Sequence, residues 1–160
     1  MKSLVVYSSQ SGNTRKMAEA AFEALPEPKE IHPVEAAPDP AAYDFVVMGF
    51  WLKAGNPDPK SQEFLKKTAG SRLFLFSTHG AAAGSEHAKR AMDAAKSLAQ
   101  GAEIVGTFDC QGAVNPELLA KVKARPNPPE WIDDADTAVG HPDARDVTAL
   151  QEKIKEALDR

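Results

Sequence analysis

The stretch Leu4-Val5-Val6-Tyr7-Ser8-Ser9-Gln10-Ser11-Gly12-Asn13-Thr14 decides the fold that this 160-residue chain is expected to adopt. Its first four residues form a continuous apolar run, which is typical of a buried central strand. A polar turn with Gly12 follows, and a helical pattern begins near Arg15. The first backbone N–H groups of a helix have no intrahelical partners, and the helix dipole favours negative charge there. The stretch therefore predicts an anion-binding loop between a strand and a helix.

The side chains of this loop suit a terminal phosphate monoester. They offer neutral hydrogen-bond donors, and no cationic residue precedes Arg15 within the loop. We therefore expect hydrogen bonds, rather than a nearby cation, to hold the phosphate. The alternative interpretation is a helix cap with a turn and no ligand. The donors are the hydroxyls of Ser8, Ser9, Ser11 and Thr14 and the amide of Asn13.

The composition is that of an ordinary globular protein, with 42% hydrophobic and 26% charged residues. We expect one domain over residues 1–160. The net charge of -4 argues against nucleic acid as a partner and permits docking onto a basic protein surface. The single cysteine, Cys110, excludes an intrachain disulfide and leaves too few thiolates for a cysteine-ligated metal site, so no metal is expected.

The apolar runs and the first residues of the sequence indicate the cellular compartment in which the protein is expected. No apolar stretch approaches the length of a membrane span, so no membrane association is expected. The residues Met1-Lys2-Ser3 run directly into the first strand, which argues against a signal peptide. The chain is therefore expected in the cytoplasm.

Apolar strand patterns alternate with helical patterns along the chain. Continuous apolar strands indicate a parallel sheet that is covered by helices on both faces. Pro33 within the second strand pattern predicts an edge strand. An irregular, Pro-rich excursion over residues 125–145, with Trp131 as its one aromatic residue, precedes a last helix over residues 146–158. The strands are expected at residues 4–7, 31–34, 44–49, 72–77 and 103–108.

Four turns of the predicted sheet carry residues suited to a ligand. Ligands of such sheets bind beyond the carboxyl ends of the strands, where the strand order reverses. The anion loop lies there, together with the turns over residues 50–57, 78–84 and 109–112. The first of these three turns offers Phe50 and Trp51, and the other two are rich in small residues. The four turns together fit a flat ring on a phosphorylated tail.

Other ligand-binding motifs of doubly wound sheets are absent from the first turn. A dinucleotide-binding fold requires G-x-G-x-x-G and a P-loop requires a lysine after its last glycine, but this turn has one glycine and no lysine. A small phosphatase would place its nucleophilic cysteine there, whereas Cys110 lies far along the chain. A receiver domain would end its third strand with a phosphorylatable Asp, and Met48-Gly49-Phe50 stands there instead.

The segment Ser9-Gln10-Ser11-Gly12-Asn13-Thr14 resembles the phosphate loop of flavodoxins, T/S-x-T/S-G-x-T. The resemblance extends from residue 2 to about residue 122 and includes the last helix, as in short-chain flavodoxins. It implies an α/β fold with a flavodoxin-like, doubly wound, five-stranded parallel sheet in the order 2-1-3-4-5 and helices on both faces. It also implies FMN as the cofactor.

The resemblance also assigns roles to individual residues. The phosphate would lie against the loop, and Trp51 would be the first neighbour of the flavin ring. The backbone at Gly55 would face the flavin N5 edge, where glycine permits a peptide to reorient. The implied phosphate loop consists of Ser9, Gln10, Ser11, Gly12, Asn13 and Thr14, and the turn at the flavin N5 edge consists of Lys53, Ala54, Gly55 and Asn56. The residues that would approach the other edge of the ring are Thr78, His79 and Gly80, with Cys110, Gln111 and Gly112 behind them.

Two features depart from the flavodoxin pattern. The loop after Ser77 has no aromatic residue, so the second face of the flavin ring is bare, covered by His79, or covered by the tract that contains Trp131. Lys53 stands where flavodoxins usually carry negative charge, which argues against a strongly lowered potential of the reduced flavin.

The resemblance implies an electron carrier between a reductase and an acceptor enzyme, with the redox chemistry supplied by FMN. No catalytic residue is needed for this role and none is conspicuous. The alternative is a flavodoxin-like NAD(P)H-dependent quinone or FMN reductase, in which residues 125–145 would shape a substrate pocket. A third possibility is an interaction module without a cofactor.

Overall fold

A computed structural model describes all 160 residues of the chain, in which strands and helices alternate. The strands are β1 (Ser3–Tyr7), β2 (Lys29–Pro33), β3 (Phe45–Lys53), β4 (Asn56–Pro57), β5 (Arg72–His79) and β6 (Glu103–Gln111). The α-helices are α1 (Asn13–Ala24), α2 (Pro59–Leu65), α3 (Glu86–Leu98), α4 (Pro116–Lys123) and α5 (Ala144–Leu158). Three short 3-10 segments cover Val34–Ala36, Pro40–Ala42 and Glu130–Ala138.

Five parallel strands form the sheet in the spatial order β2-β1-β3-β5-β6. Counted along the chain, this is the order 2-1-3-4-5, so the predicted topology is confirmed. The short strand β4 lies outside this series and pairs antiparallel with the end of β3. The strand order reverses between β1 and β3, and the carboxyl ends of these strands define the switch point at which ligands of such sheets bind.

Two apolar cores cover the two faces of the sheet, as the continuous apolar strands predicted. Side chains alternate along β1, so Val5 packs on one face and Leu4 and Val6 on the other. Helices α1 and α5 cover the first face, where Ile154 of α5 is fully buried. Helices α2 and α3 cover the second face, where Leu65 of α2 is fully buried. None of the helices combines the length and the apolarity needed to cross a lipid bilayer.

Several boundaries predicted from the sequence are wrong, and β5 and β6 continue to His79 and Gln111, past their predicted ends at residues 77 and 108. Helix α1 begins at Asn13 rather than near Arg15. Strand β3 does not end at Gly49 but continues to Lys53, because β4 folds back on it and pairs Lys53 with Asn56. Ala54 and Gly55 make the two-residue turn of this hairpin, both with positive φ (52° and 79°), as a type I′ turn requires.

The chain between β6 and α5 leaves the sheet and returns to it. We call residues 113–141 the excursion. The backbone N–H of Ala113 donates to the carbonyl oxygen of His141 at 2.9 Å, which closes the excursion at its base. The excursion contains α4 and the 3-10 segment Glu130–Ala138, so the tract predicted to be irregular over residues 125–145 has some regular structure, and α5 begins inside it.

Candidate functional site

A cleft of about 490 Å³ opens at the carboxyl ends of β1, β3, β5 and β6. Its volume lies within the range of clefts that hold one small ligand. All four predicted turns contribute to it, and the excursion forms a further wall. The lining residues are Gln10, Ser11, Asn13, Trp51, Leu52, Ala54, Gly55, Thr78, His79, Gly80, His87, Gly112, Ala113, Val114, Asn115, Glu117, Leu118, Lys121 and Trp131.

The N-terminus of α1 opens toward the cleft without a side-chain cap. Gly12 occupies the N-cap position with φ +92°, and as a glycine it provides no side chain to cap the first turn of the helix. The other four α-helices are each capped by a side chain, that of Asp58, Ser85, Asn115 or Asp143. A Cβ added at Gly12 would meet no atom within 4 Å, so the loop leaves space beside its own backbone. Amide N–H groups at such a terminus are suited to a phosphate.

Most of the hydroxyls of this loop are engaged within the protein. The Ser8 hydroxyl donates to Asp58 Oδ1 at 2.8 Å, and Ser9 Oγ accepts the N–H of Gly12 at 3.1 Å. The hydroxyls of Thr14 and Thr78 lie 2.9 Å apart in a buried contact that ties α1 to the end of β5. These bonds shape the loop, whereas Ser11 is the one hydroxyl of the loop that lines the cleft.

Asn13 connects the loop to the end of the last strand. Its side-chain Nδ2 donates to the carbonyl oxygen of Ala113 at 2.9 Å. Gly112 lies directly against this amide, since a Cβ at Gly112 would stand 2.7 Å from Asn13 Nδ2. The glycine therefore permits the close approach of the phosphate loop to β6.

Asp58 is a site-shaping residue that the sequence analysis missed. It is 1% exposed, and its carboxylate accepts from the hydroxyls of Ser8 and Ser61 at 2.8 and 2.7 Å. It also accepts the backbone N–H of Ser61, as the N-cap of α2, and lies 3.4 Å from the N–H of Trp51. One carboxylate thus joins β1, the hairpin of β3 and β4, and α2. The signal available in the sequence was an Asp immediately before the Pro that opens a helix.

The hairpin between β3 and β4 supplies one wall of the cleft. Trp51, Ala54 and Gly55 line it, and Lys53 and Asn56 of the same turn do not. His87, on the first turn of α3, packs on the hairpin, with its Cε1 3.6 Å from the position of a Cβ on Gly55. Burial, followed by the positive charges of His79 and Arg90, lowers the pKa of His87 below its ordinary value.

The end of β5 contributes Thr78, His79 and Gly80 to the cleft, as the resemblance implied for its position. Gly80 lies under the excursion: a Cβ there would stand 2.8 Å from Val114 Cγ2 and 3.2 Å from Trp131 Cε3. Trp131 therefore rests on the β5 loop and faces the cleft. The excursion is further held by the side chain of Gln111, which donates to Thr137 Oγ1 at 2.8 Å.

The end of β6 divides into residues that line the cleft and residues that do not. Gly112 lines it, whereas Gln111 reaches the excursion instead. Cys110 is 1% exposed and packs in the core that α1 and α5 cover. Burial, reinforced by nearby carboxylates, raises the pKa of its thiol above the ordinary value, so Cys110 is an apolar core residue in this structure.

A larger groove of about 740 Å³ lies elsewhere, between residues 34–40 and α2. Half of its lining side chains are charged, and it contains no tryptophan and no helix N-terminus without a cap. The cleft at the sheet edge is the better match to a flavin with a phosphorylated tail, since it combines the uncapped terminus of α1 with Trp51 and Trp131. The residues present therefore fit FMN.

The flavodoxin domain family matches residues 4–155, and the chain belongs to this family. FMN is the cofactor of this chain. A flavodoxin-like domain-containing protein, BilS, from Clostridioides difficile (strain CD3) is 34% identical over 128 residues, which cover 77% of this chain and 73% of the relative.

Solved structures show the same fold. Oxidised flavodoxin 2 from Bacillus cereus matches with a TM-score of 0.66 at 18% identity, over 99% of both chains. A flavoprotein from Lactobacillus acidophilus NCFM in complex with FMN matches with a TM-score of 0.56 at 20% identity, over 68% of this chain and 92% of that one.

Proposed function

We propose that the protein is an electron carrier whose FMN passes electrons from a reductase to an acceptor enzyme. The observation that carries the proposal is the uncapped N-terminus of α1, which opens into a cleft with Trp51 on one side and Trp131 on another. In this arrangement the backbone N–H groups of Ser11 to Thr14 hold the phosphate and the ring lies along the hairpin and the β5 loop. FMN then supplies the redox chemistry, and the protein supplies binding and orientation.

The lining of the cleft supports a carrier. Its ionisable side chains are those of His79, His87, Glu117 and Lys121. His79 is locked in a buried contact with Asp109, and Glu117 and Lys121 lie on the exposed side of α4. Electron transfer between proteins requires no general acid and no nucleophile, and this lining presents no nucleophile paired with a base. A reductase and an acceptor enzyme in the cytoplasm are the partners this role requires.

The alternative is a flavodoxin-like NAD(P)H-dependent quinone or FMN reductase. Leu118 of α4, 48% exposed, favours it, because this side chain gives the cleft an apolar wall against which a second ring would pack. In that case the excursion holds the substrate beside the flavin.

Anaerobic mixing distinguishes the two functions. FMN-loaded protein is mixed with NADPH or NADH alone, and then with NADPH plus a flavodoxin reductase, while the visible absorbance of the flavin is recorded. A carrier bleaches rapidly only when the reductase is present. Rapid bleaching by the nicotinamide alone overturns the carrier and establishes the reductase.

A further inference from the structure

A part-buried contact between a histidine and a carboxylate lies at the cleft. His79 ends β5, and its side chain is 1% exposed. Asp109, on the neighbouring strand β6, is 24% exposed in its side chain. The His79 Nε2 and Asp109 Oδ2 atoms are 2.8 Å apart, a distance typical of a charge-assisted hydrogen bond.

Both ring nitrogens of His79 face acceptors. Nδ1 lies 3.0 Å from the carbonyl oxygen of Ala81, while Nε2 faces the Asp109 carboxylate. A neutral imidazole has only one N–H and would leave one of these contacts without a proton. The geometry is satisfied when both nitrogens carry protons and Asp109 is ionised.

Asp109 is held in its ionised form. Burial alone would raise the pKa of this carboxyl, but the hydrogen bonds from His79 and from the Gly84 N–H outweigh burial and lower the pKa. The Gly84 N–H donates to Oδ2 at 2.9 Å. The carboxylate therefore acts as a positioning residue that keeps the imidazolium in place.

Only one partner of the pair belongs to the lining of the cleft. His79 lines the cleft, and Asp109 does not. The other ionisable groups of the lining are His87 of α3, whose lowered pKa leaves it neutral at pH 7, and Glu117 and Lys121, which oppose each other in charge on the exposed side of α4. The imidazolium of His79, whose counter-charge on Asp109 lies outside the lining, is thus the one buried charge among the lining side chains, and a buried charge is screened less by water than an exposed one.

We propose that His79 is a redox-tuning residue, which raises the midpoint potential of bound FMN by stabilising its reduced form more than its oxidised form. Reduction of FMN by two electrons with uptake of one proton leaves one additional negative charge, and the imidazolium of His79 attracts that charge. The inference rests on the proposed placement of FMN in the cleft. It makes the protein a weaker reductant than a flavodoxin whose ring faces carboxylates.

Three variants test the proposal. His79→Gln removes the charge and keeps a polar side chain of similar length. His87→Gln is the matched control, because His87 lines the same cleft without a charge at pH 7. Asp109→Asn removes the positioning carboxylate. For each variant, the dissociation constant of FMN is measured in the oxidised state and after reduction with dithionite, and the midpoint potential is measured against a reference dye.

The expected results separate a charge effect from a packing effect. His79→Gln should weaken the binding of reduced FMN about tenfold more than that of oxidised FMN, which lowers the two-electron midpoint potential by about 30 mV. His87→Gln should change both affinities by the same factor and leave the potential unchanged. In flavin-free protein at pH 7, nitrogen NMR should find protons on both ring nitrogens of His79 in the wild type and on one in Asp109→Asn.

Two results overturn the inference without touching the proposed function. The first is an equal loss of affinity for both redox states in His79→Gln. The second is the finding, by nitrogen NMR, that His79 in the wild-type protein carries a proton on only one ring nitrogen. This measurement can be made even if the His79→Gln variant does not fold. A wild-type protein that binds no FMN contradicts the cofactor placement itself and is a separate failure.

Discussion

The hydroxyl of Ser8 donates to the carboxylate of Asp58 at 2.8 Å, a buried contact between residues 50 positions apart. Ser8 connects β1 to the phosphate loop, whereas Asp58 caps α2 and lies beside the backbone of Trp51. The two halves of the cleft, the one expected to hold the phosphate and the one expected to hold the ring, are therefore fixed to each other through one carboxylate.

Replacement of Asp58 should weaken both the fold and the cofactor site. Asp58→Ala removes a helix cap, at about 1 kcal/mol, and leaves the buried Ser8 hydroxyl without its acceptor, at about 1–3 kcal/mol. We expect the free energy of unfolding, measured with urea, to fall by about 3 kcal/mol and the dissociation constant of FMN to rise. Asp39→Ala is the control, since Asp39 caps an exposed 3-10 turn. Equal effects of the two substitutions would show that Asp58 has no special role.

A pair of glycine variants should separate backbone strain from loss of the phosphate site. Gly12 and Gly70 both have positive φ, +92° and +84°, and an added Cβ meets no atom within 4 Å at either position. Gly12→Val and Gly70→Val therefore carry a similar strain, about 1–2 kcal/mol. Only Gly12→Val should abolish quenching of FMN fluorescence, because its branched side chain blocks the phosphate. Unchanged FMN affinity in Gly12→Val would remove the phosphate from this loop.

The contact between Gly80 and the excursion should control how firmly the excursion is held. Gly80→Ala places a Cβ 2.8 Å from Val114 and 3.2 Å from Trp131, so the excursion must shift. We expect trypsin to cleave after the exposed Lys121 and Lys123 several-fold faster than in the wild type. Gly84→Ala, in the same loop, is the control for backbone strain alone, because Gly84 has φ +72° but open space around an added Cβ. Identical cleavage rates in the two variants would argue that Trp131 does not anchor the excursion through Gly80.

The ion pair under the cleft should make stability depend on pH in a defined direction. The pKa of Asp109 is lowered in the folded state, so its contribution to stability is present above the unfolded value of about 3.9 and is lost as the pH falls through the folded value. Asp109→Asn should therefore lower the urea midpoint relative to the wild type at pH 7, and this difference should shrink toward pH 3. A difference that is constant over this range would mean that ionisation of Asp109 does not contribute.

The sequence allowed the sheet and the glycine-containing turn before α1 to be predicted because their signals are local. The run Leu4 to Tyr7 and the turn with Gly12 contain the strand, the glycine and the helix start within eleven residues. The parallel sheet followed from the alternation of strands and helices, and the strand order followed from the family resemblance.

The remaining parts of the site depend on contacts between distant residues. Asp58 contacts Ser8, which is 50 positions away in the sequence, and His79 contacts Asp109, which is 30 positions away. The extension of β3 to Lys53 depends on β4, which has only two residues and no strand pattern of its own. Residues 125–145 were predicted as irregular, and nothing in their composition indicated that Trp131 would rest on Gly80.

The central claim is that FMN lies in the cleft with its phosphate at the N-terminus of α1 and its ring between Trp51 and the β5 loop. A crystal structure of the FMN-loaded protein tests this most directly. We expect phosphate oxygens within hydrogen-bond distance of the backbone N–H groups of Ser11 to Thr14 and the ring against Trp51. Flavin density in the groove between residues 34–40 and α2, or a phosphate remote from α1, would contradict it.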